Sequence, residues 1–115
     1  MKSLKQGDYV VGMDIGGTKM MACVFDHKFK VVSRCKKKSS SSKNEHPEDR
    51  ISRIISEALE DAGGAKICGI GVGVPGPTDP VAGIIMDTPN LGWKKFPLAD
   101  VLNKKFGVPA VIDND

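Results

Sequence analysis

Residues Met13–Met20, "MDIGGTKM", hold one carboxylate, two adjacent glycines, a threonine and a lysine. Paired glycines between apolar runs mark a tight turn where the backbone comes close to something. Upstream, "YVVGMD" (Tyr9–Asp14) is apolar and bounded by turn residues, as a short strand is. Downstream, "KMMACVFD" (Lys19–Asp26) reads the same way. The pair predicts a β-hairpin with Gly16-Gly17 at its tip.

Two phosphate-loop patterns nearly match and fail on context. Gly12–Lys19 is a Walker A loop with its last two residues exchanged, but a Walker loop opens a helix and "MMACVFD" is strand-like. Gly71–Gly76, "GVGVPG", matches the dinucleotide pattern G-x-G-x-x-G, which also opens a helix. Pro75, Pro77 and Pro80 forbid a continuous helix there. A phosphate grip at a hairpin remains. Glycines admit the polyanion, consecutive amides form an anion nest, and Thr18 adds a hydroxyl donor. Lys19 adds charge or points to solvent. Asp14, at the end of the first strand, is placed to hold Mg²⁺ through water. The bland alternative is an ordinary Gly-Gly hairpin beside a solvent aspartate.

Outward from the hairpin, "KFKVVSRCK" (Lys28–Lys36) alternates. Lys28, Lys30, Arg34 and Lys36 share one parity and Phe29, Val31 and Cys35 the other, predicting a strand with one wet and one buried face. "KKSSSSKN" (Lys37–Asn44) has nothing to bury and predicts a mobile polar loop, bounded at 37–46. The basic stretch reads as a solvated face. Pro47–Ala62 predicts a helix, with Ile51, Ile54, Ile55, Ala58, Leu59 and Ala62 on one stripe. Pro47, Glu48 and Asp49 suit its first turn, and Gly63-Gly64 ends it. "ICGIGVGV" (Ile67–Val74) predicts a fully buried strand stopped by Pro75. The Gly/Pro-rich segment to Phe96 predicts a long functional loop with a short hairpin around Ile84–Met86. Leu98–Phe106 predicts a helix ended by Gly107, and Val108–Asp113 a last buried strand. Three strands, helix, strand, long loop, helix, strand describe an α/β lobe. It is a mixed five-stranded sheet with helices packed on it, in the ribonuclease-H-like layout of actin-like ATPases.

The 115 residues suit one domain, and 40% apolar content supplies a core. A net charge of +3 argues for no nucleic-acid partner. Three scattered cysteines, Cys23, Cys35 and Cys68, suggest neither a disulfide framework nor a zinc site. The expectation is a reduced, cytoplasmic setting. No run approaches the ~18 apolar residues of a membrane span, so no membrane partner is expected.

"DIGGTK" (Asp14–Lys19), "GVGVPGPTDP" (Gly71–Pro80), "PNLGW" (Pro89–Trp93) and "DND" (Asp113–Asp115) together resemble the ROK family of repressors, unclassified reading frames and sugar kinases. "PGPTD" followed by "PNLGW" looks most like its bacterial glucokinases. The resemblance implies an ATP-dependent hexose kinase, with glucose as the expected sugar. Gly12, Met13, Asp14, Ile15, Gly16, Gly17, Thr18 and Lys19 would form the first ATP-phosphate and Mg²⁺ segment. Gly76 would allow close approach of the sugar, and Asn90 and Asn114 would hydrogen-bond its hydroxyls. Asp115 would contact the sugar and act as catalytic base. Phosphoryl transfer needs a carboxylate to orient the attacking hydroxyl and take its proton. Trp93 reads as a loop anchor more than as a sugar platform.

The family's second lobe, with its E-x-G-H element, zinc motif and adenine pocket, has no counterpart in these residues. Residues 1–115 are therefore expected to form an N-terminal lobe, inactive alone and a possible homo-oligomer. Zinc would belong only to the other lobe. A ROK repressor would need a winged-helix domain before Tyr9. A ribonuclease-H-like metal nuclease would need further acids. A non-catalytic sugar-binding domain would have half a cleft.

Overall fold

The computed structural model describes residues 4–39, 45–88 and 92–114. Strands β1 (Tyr9–Ile15), β2 (Lys19–Phe25) and β3 (Val31–Lys38) form an antiparallel meander. Helix α1 (Pro47–Asp61) leads to β4 (Ile67–Val74), which pairs parallel with β1. After a small antiparallel sheet of β5 (Thr78–Asp79), β6 (Ile84–Thr88) and β7 (Trp93–Phe96), helix α2 (Leu98–Phe106) leads to β8 (Ala110–Asn114). β8 pairs parallel with β4, closing a mixed five-stranded sheet in the order β3-β2-β1-β4-β8. This is the expected ribonuclease-H-like, actin-like lobe.

Alternation puts one face of the sheet in the core. Val11, Met13 and Ile15 of β1, Met20, Ala22 and Val24 of β2, Ile70, Val72 and Val74 of β4, and Ile112 of β8 are all buried. Ile51, Ile54, Ile55 and Ala58 of α1 and Leu98 and Leu102 of α2 join them in one cluster. α1 has Pro in its first turn with Glu48 and Asp49, and it closes where Gly64 N–H donates to Leu59 O at 2.8 Å. Gly107, at φ 68°, ends α2. Both ends match the expectation.

The third strand starts at Val31 rather than Lys28. Asp26 Oδ1 accepts the N–H groups of Lys28 (2.8 Å) and Lys30 (3.0 Å), and Phe29 has φ 60°, so these residues form a turn. The Lys30 N–H foremost, with that of Lys28, holds the Asp26 carboxyl below the usual carboxylate range. The expected buried face fails at Phe29 and Val31, which are 63% and 44% exposed. Only Cys35 is buried there, and α1 is the reason. Cys35 Sγ donates to Glu57 Oε2 (3.3 Å), and Ser33 Oγ donates to Ala58 O (2.5 Å). Burial pushes the Cys35 thiol up, so it stays protonated at neutral pH.

The polar loop expected at 37–46 is shorter than its composition suggests. Lys37 and Lys38 extend β3, where Lys37 Nζ bridges Glu57 (3.2 Å) and Lys38 O accepts from Arg50. Ser39 is buried, and residues 40–44 lie outside the described residues. The expected long loop before Phe96 holds a three-stranded sheet, wider than the hairpin anticipated around Ile84–Met86. Ile85 is fully buried and anchors it.

The other face of the large sheet is flattened by glycine. Gly12, Gly69 and Gly71 lie beside Val10, Phe25 and Val111, around a cleft of about 590 Å³. Val111 is 66% exposed. Apolar surface of this kind binds hydrophobic dyes or drives association. The chain is expected to raise the fluorescence of an anilinonaphthalene sulfonate dye or to self-associate in light scattering, and Val111→Asp is expected to reduce both. A monodisperse chain that leaves the dye dark would refute this.

Candidate functional site

The β1–β2 turn is built as a clamp. Gly16 N–H donates to Lys19 O at 2.9 Å, and a Cβ on Gly16 would stand 2.8 Å from that oxygen. The glycine is thus required by the turn itself. Ser39, beyond the end of β3, closes over the turn: its hydroxyl donates to Gly16 O (2.5 Å) and its N–H to Thr18 O (2.8 Å). The N–H groups of Gly17 and Thr18 have no backbone acceptor among the described residues. The Gly16 amide is therefore spent inside the turn, and the nest expected from the sequence narrows to Gly17 and Thr18, both exposed.

A cleft of about 530 Å³ opens at this turn, lined by Asp14, the turn residues, Met21 and Lys36. Asp14, Met21 and Lys36 are successive cross-strand partners and share one face. Two free amides, the Thr18 hydroxyl and the Lys19 and Lys36 ammonium groups make a donor set suited to phosphate oxygens. Sequence reading placed Lys36 in a solvated basic stretch. Its strand parity carried the signal, but the register that brings it to the turn is a property of the sheet. Met13 and Ile15 point into the core, so only their backbones face this end. Gly12 lies mid-strand, where a Cβ would meet the Phe25 ring at 2.9 Å, which gives that glycine a packing reason.

The parallel strands β1, β4 and β8 end side by side. In such sheets ligands gather beyond the carboxyl ends of the strands. Asp14 pairs with Gly73, and Gly73 with Asp113. Two carboxylates thus flank a residue without a side chain, with Cα atoms about 10 Å apart, two strand spacings. Carboxylates at strand ends are the kind of group that could hold a divalent cation through water. Among the described residues, no group of three His, Cys, Asp or Glu side chains is placed to hold a metal directly.

On the other side of β4, Gly76 is buried and a Cβ there would stand 1.8 Å from Asp87 O. Its lack of a side chain is demanded by the strand crossing beneath it, whatever lies above. Thr88 holds the next loop: Gly92 N–H donates to Thr88 O (2.7 Å) and Trp93 N–H to Thr88 Oγ1 (3.0 Å). Trp93 stacks edge-on against Phe96, with ring centroids 5.4 Å apart, as a loop anchor would. Asn90 and Asp115 lie outside the described residues. Asn114 is exposed at the end of β8, and its Oδ1 accepts from the Thr78 hydroxyl at 2.6 Å.

Comparison with known proteins gives this geometry a family. The ROK family profile matches residues 10–115. The chain is 30% identical over 105 residues to a glucokinase of Streptomyces coelicolor, covering 91% of this chain and 32% of that protein. It is 37% identical over 67 residues to a xylose repressor of Caldicellulosiruptor bescii, covering 58% of this chain and 16% of the repressor. A solved ROK family glucokinase from Streptomyces griseus, in complex with glucose and AMPPNP, superposes with a TM-score of 0.79 at 30% identity, over 92% of this chain and 33% of that one. The chain spans about a third of the length of the first of these relatives. With the family profile matching nearly from end to end and the fold shared, this chain belongs to the ROK family.

Proposed function

We propose that this chain is the phosphate- and sugar-facing lobe of an ATP-dependent hexose kinase, with glucose as its sugar. The observation that carries the reading is the meeting of the clamped Gly16–Lys19 turn and the ends of β1, β4 and β8 on one edge of the sheet. The amides of Gly17 and Thr18 and the charges of Lys19 and Lys36 would hold phosphate oxygens. Asp14 would orient hydrated Mg²⁺. Asn90 and Asn114 would pair with sugar hydroxyls, and Asp115 would accept the proton of the attacking hydroxyl as the phosphoryl group transfers in line. The glucokinase relatives support the reading.

The test is hexose-dependent ADP release by the full-length protein across a panel of sugars, with glucose expected to give the highest kcat/KM. Loss of a matched polar partner costs roughly 1–3 kcal/mol. Asn90→Ala is therefore expected to raise the sugar Kd about 5- to 150-fold and leave the ATP Kd nearly unchanged. Equal losses for both ligands would assign Asn90 a folding role instead.

The repressor relative favours a second reading, a ROK regulator that binds sugar without phosphorylating it. Hexose binding by calorimetry, with no ADP release at saturating ATP, would select it.

A further inference from the structure

Asn114 is tied down on its backbone and on one side of its amide. It pairs with Val74 across the sheet, and its N–H donates to Asp113 Oδ1 at 2.8 Å. Its Oδ1 accepts from the Thr78 hydroxyl. Thr78 is itself fixed. It pairs with Ile85 in the small sheet and follows the Gly76 crossing, where Pro77 O accepts from Met86 N–H at 2.9 Å. The Thr78–Asn114 bond is thus a side-chain link between the small sheet and the end of β8.

A carboxamide presents either its oxygen or its NH₂ group, and a half-turn about its last bond exchanges acceptor for donors. A hydroxyl donating to Oδ1 selects one of these states. It takes one lone pair of the oxygen and leaves Nδ2 to face away from Thr78.

We propose that Thr78 is a positioning residue that locks the Asn114 amide with its NH₂ group turned to the sugar, so that Asn114 meets it as a donor. The matching substrate group is an oxygen lone pair, as a sugar hydroxyl presents while its own hydrogen goes to a carboxylate. This role rests on the sugar-kinase reading above.

The test compares Thr78→Val, which keeps the shape and loses the hydroxyl, with Thr78→Ser, which keeps the hydroxyl, in the full-length protein. Thr78→Val is expected to raise the hexose KM about 3- to 10-fold, with kcat and the ATP KM near wild type, and Thr78→Ser to restore it. In an Asn114→Ala background, Thr78→Val should add nothing. The Asn114 side-chain amide signals in a nitrogen–proton NMR spectrum should move in Thr78→Val and stay in place in Thr78→Ser. An unchanged hexose KM, an effect that persists without Asn114, or unmoved amide signals would overturn the role while leaving the kinase reading standing. A wild-type protein that phosphorylates no hexose would remove the kinase reading, and this role with it.

Discussion

Asp115→Asn is expected to lower hexose phosphorylation by the full-length protein about 10²- to 10⁴-fold, the range for loss of a positioned general base. An asparagine keeps the shape and one acceptor oxygen, so the sugar Kd should stay within a few-fold of wild type. It removes the group that takes the proton as the hydroxyl attacks. The position of Asp113 and Asn114 at the end of β8, two strands from Asp14, motivates the expectation. Steady-state kinetics with isothermal calorimetry separates the two effects. Turnover near wild type would show that another group is the base, and a parallel loss of sugar affinity would show that Asp115 serves binding.

Gly76→Ala is expected to have the largest effect on stability. The added Cβ would stand 1.8 Å from Asp87 O, and both the glycine and its obstacle are backbone. No side-chain rotation relieves such a contact, so the β4–β5 turn or β6 must move. Overpacking of this severity costs about 3 kcal/mol. For a chain of this size that lowers Tm by roughly 10–20 °C. Gly71→Ala is the control. Its Cβ would meet nothing nearer than Val111 Cγ2 at 3.9 Å, and it should shift stability by less than about 1 kcal/mol. Thermal unfolding followed by circular dichroism measures both. Equal effects of the two substitutions would mean that the crossing yields without strain, and that Gly76 is glycine for the sake of a ligand.

Most strands of the large sheet were legible as short apolar runs bounded by turn residues and α1 as a stripe at the helical period, but β4 and β8, expected to be buried on both faces, are buried on one only. The isoleucines of "RISRIISEALED" recur three and four apart, and α1 forms where they say. The turn at Gly16-Gly17 was legible because paired glycines between apolar runs mark a tight turn, and at Gly16 a Cβ would indeed stand 2.8 Å from Lys19 O. The small sheet was not. β5 has two residues and β7 four, too few to show alternation, and glycine and proline surround them. Phe29 misled because strand parity was extended through a turn that the Asp26 carboxylate imposes, and Val31 because it opens β3 where the pairing with β2 shifts register.

The candidate site divides along the same line. Local chemistry marked Asp14 and the turn residues, because a tight turn and a carboxylate at a strand end need only their neighbours in the chain, and the "DND" end was marked by the resemblance to the ROK family. Ser39 over the turn, Lys36 in its cleft, Asp113 across Gly73 from Asp14, and Thr78 on Asn114 each join residues more than fifteen positions apart. The contact that makes Gly76 a glycine, Gly76 against Asp87, spans eleven residues and is equally a matter of where one segment crosses another. Such meetings depend on strand register and on where one segment crosses another. Hydrophobic patterning selects which face of a strand is buried, but the neighbours on the other face are chosen by the pairing of whole strands, and that is decided only when the sheet is assembled.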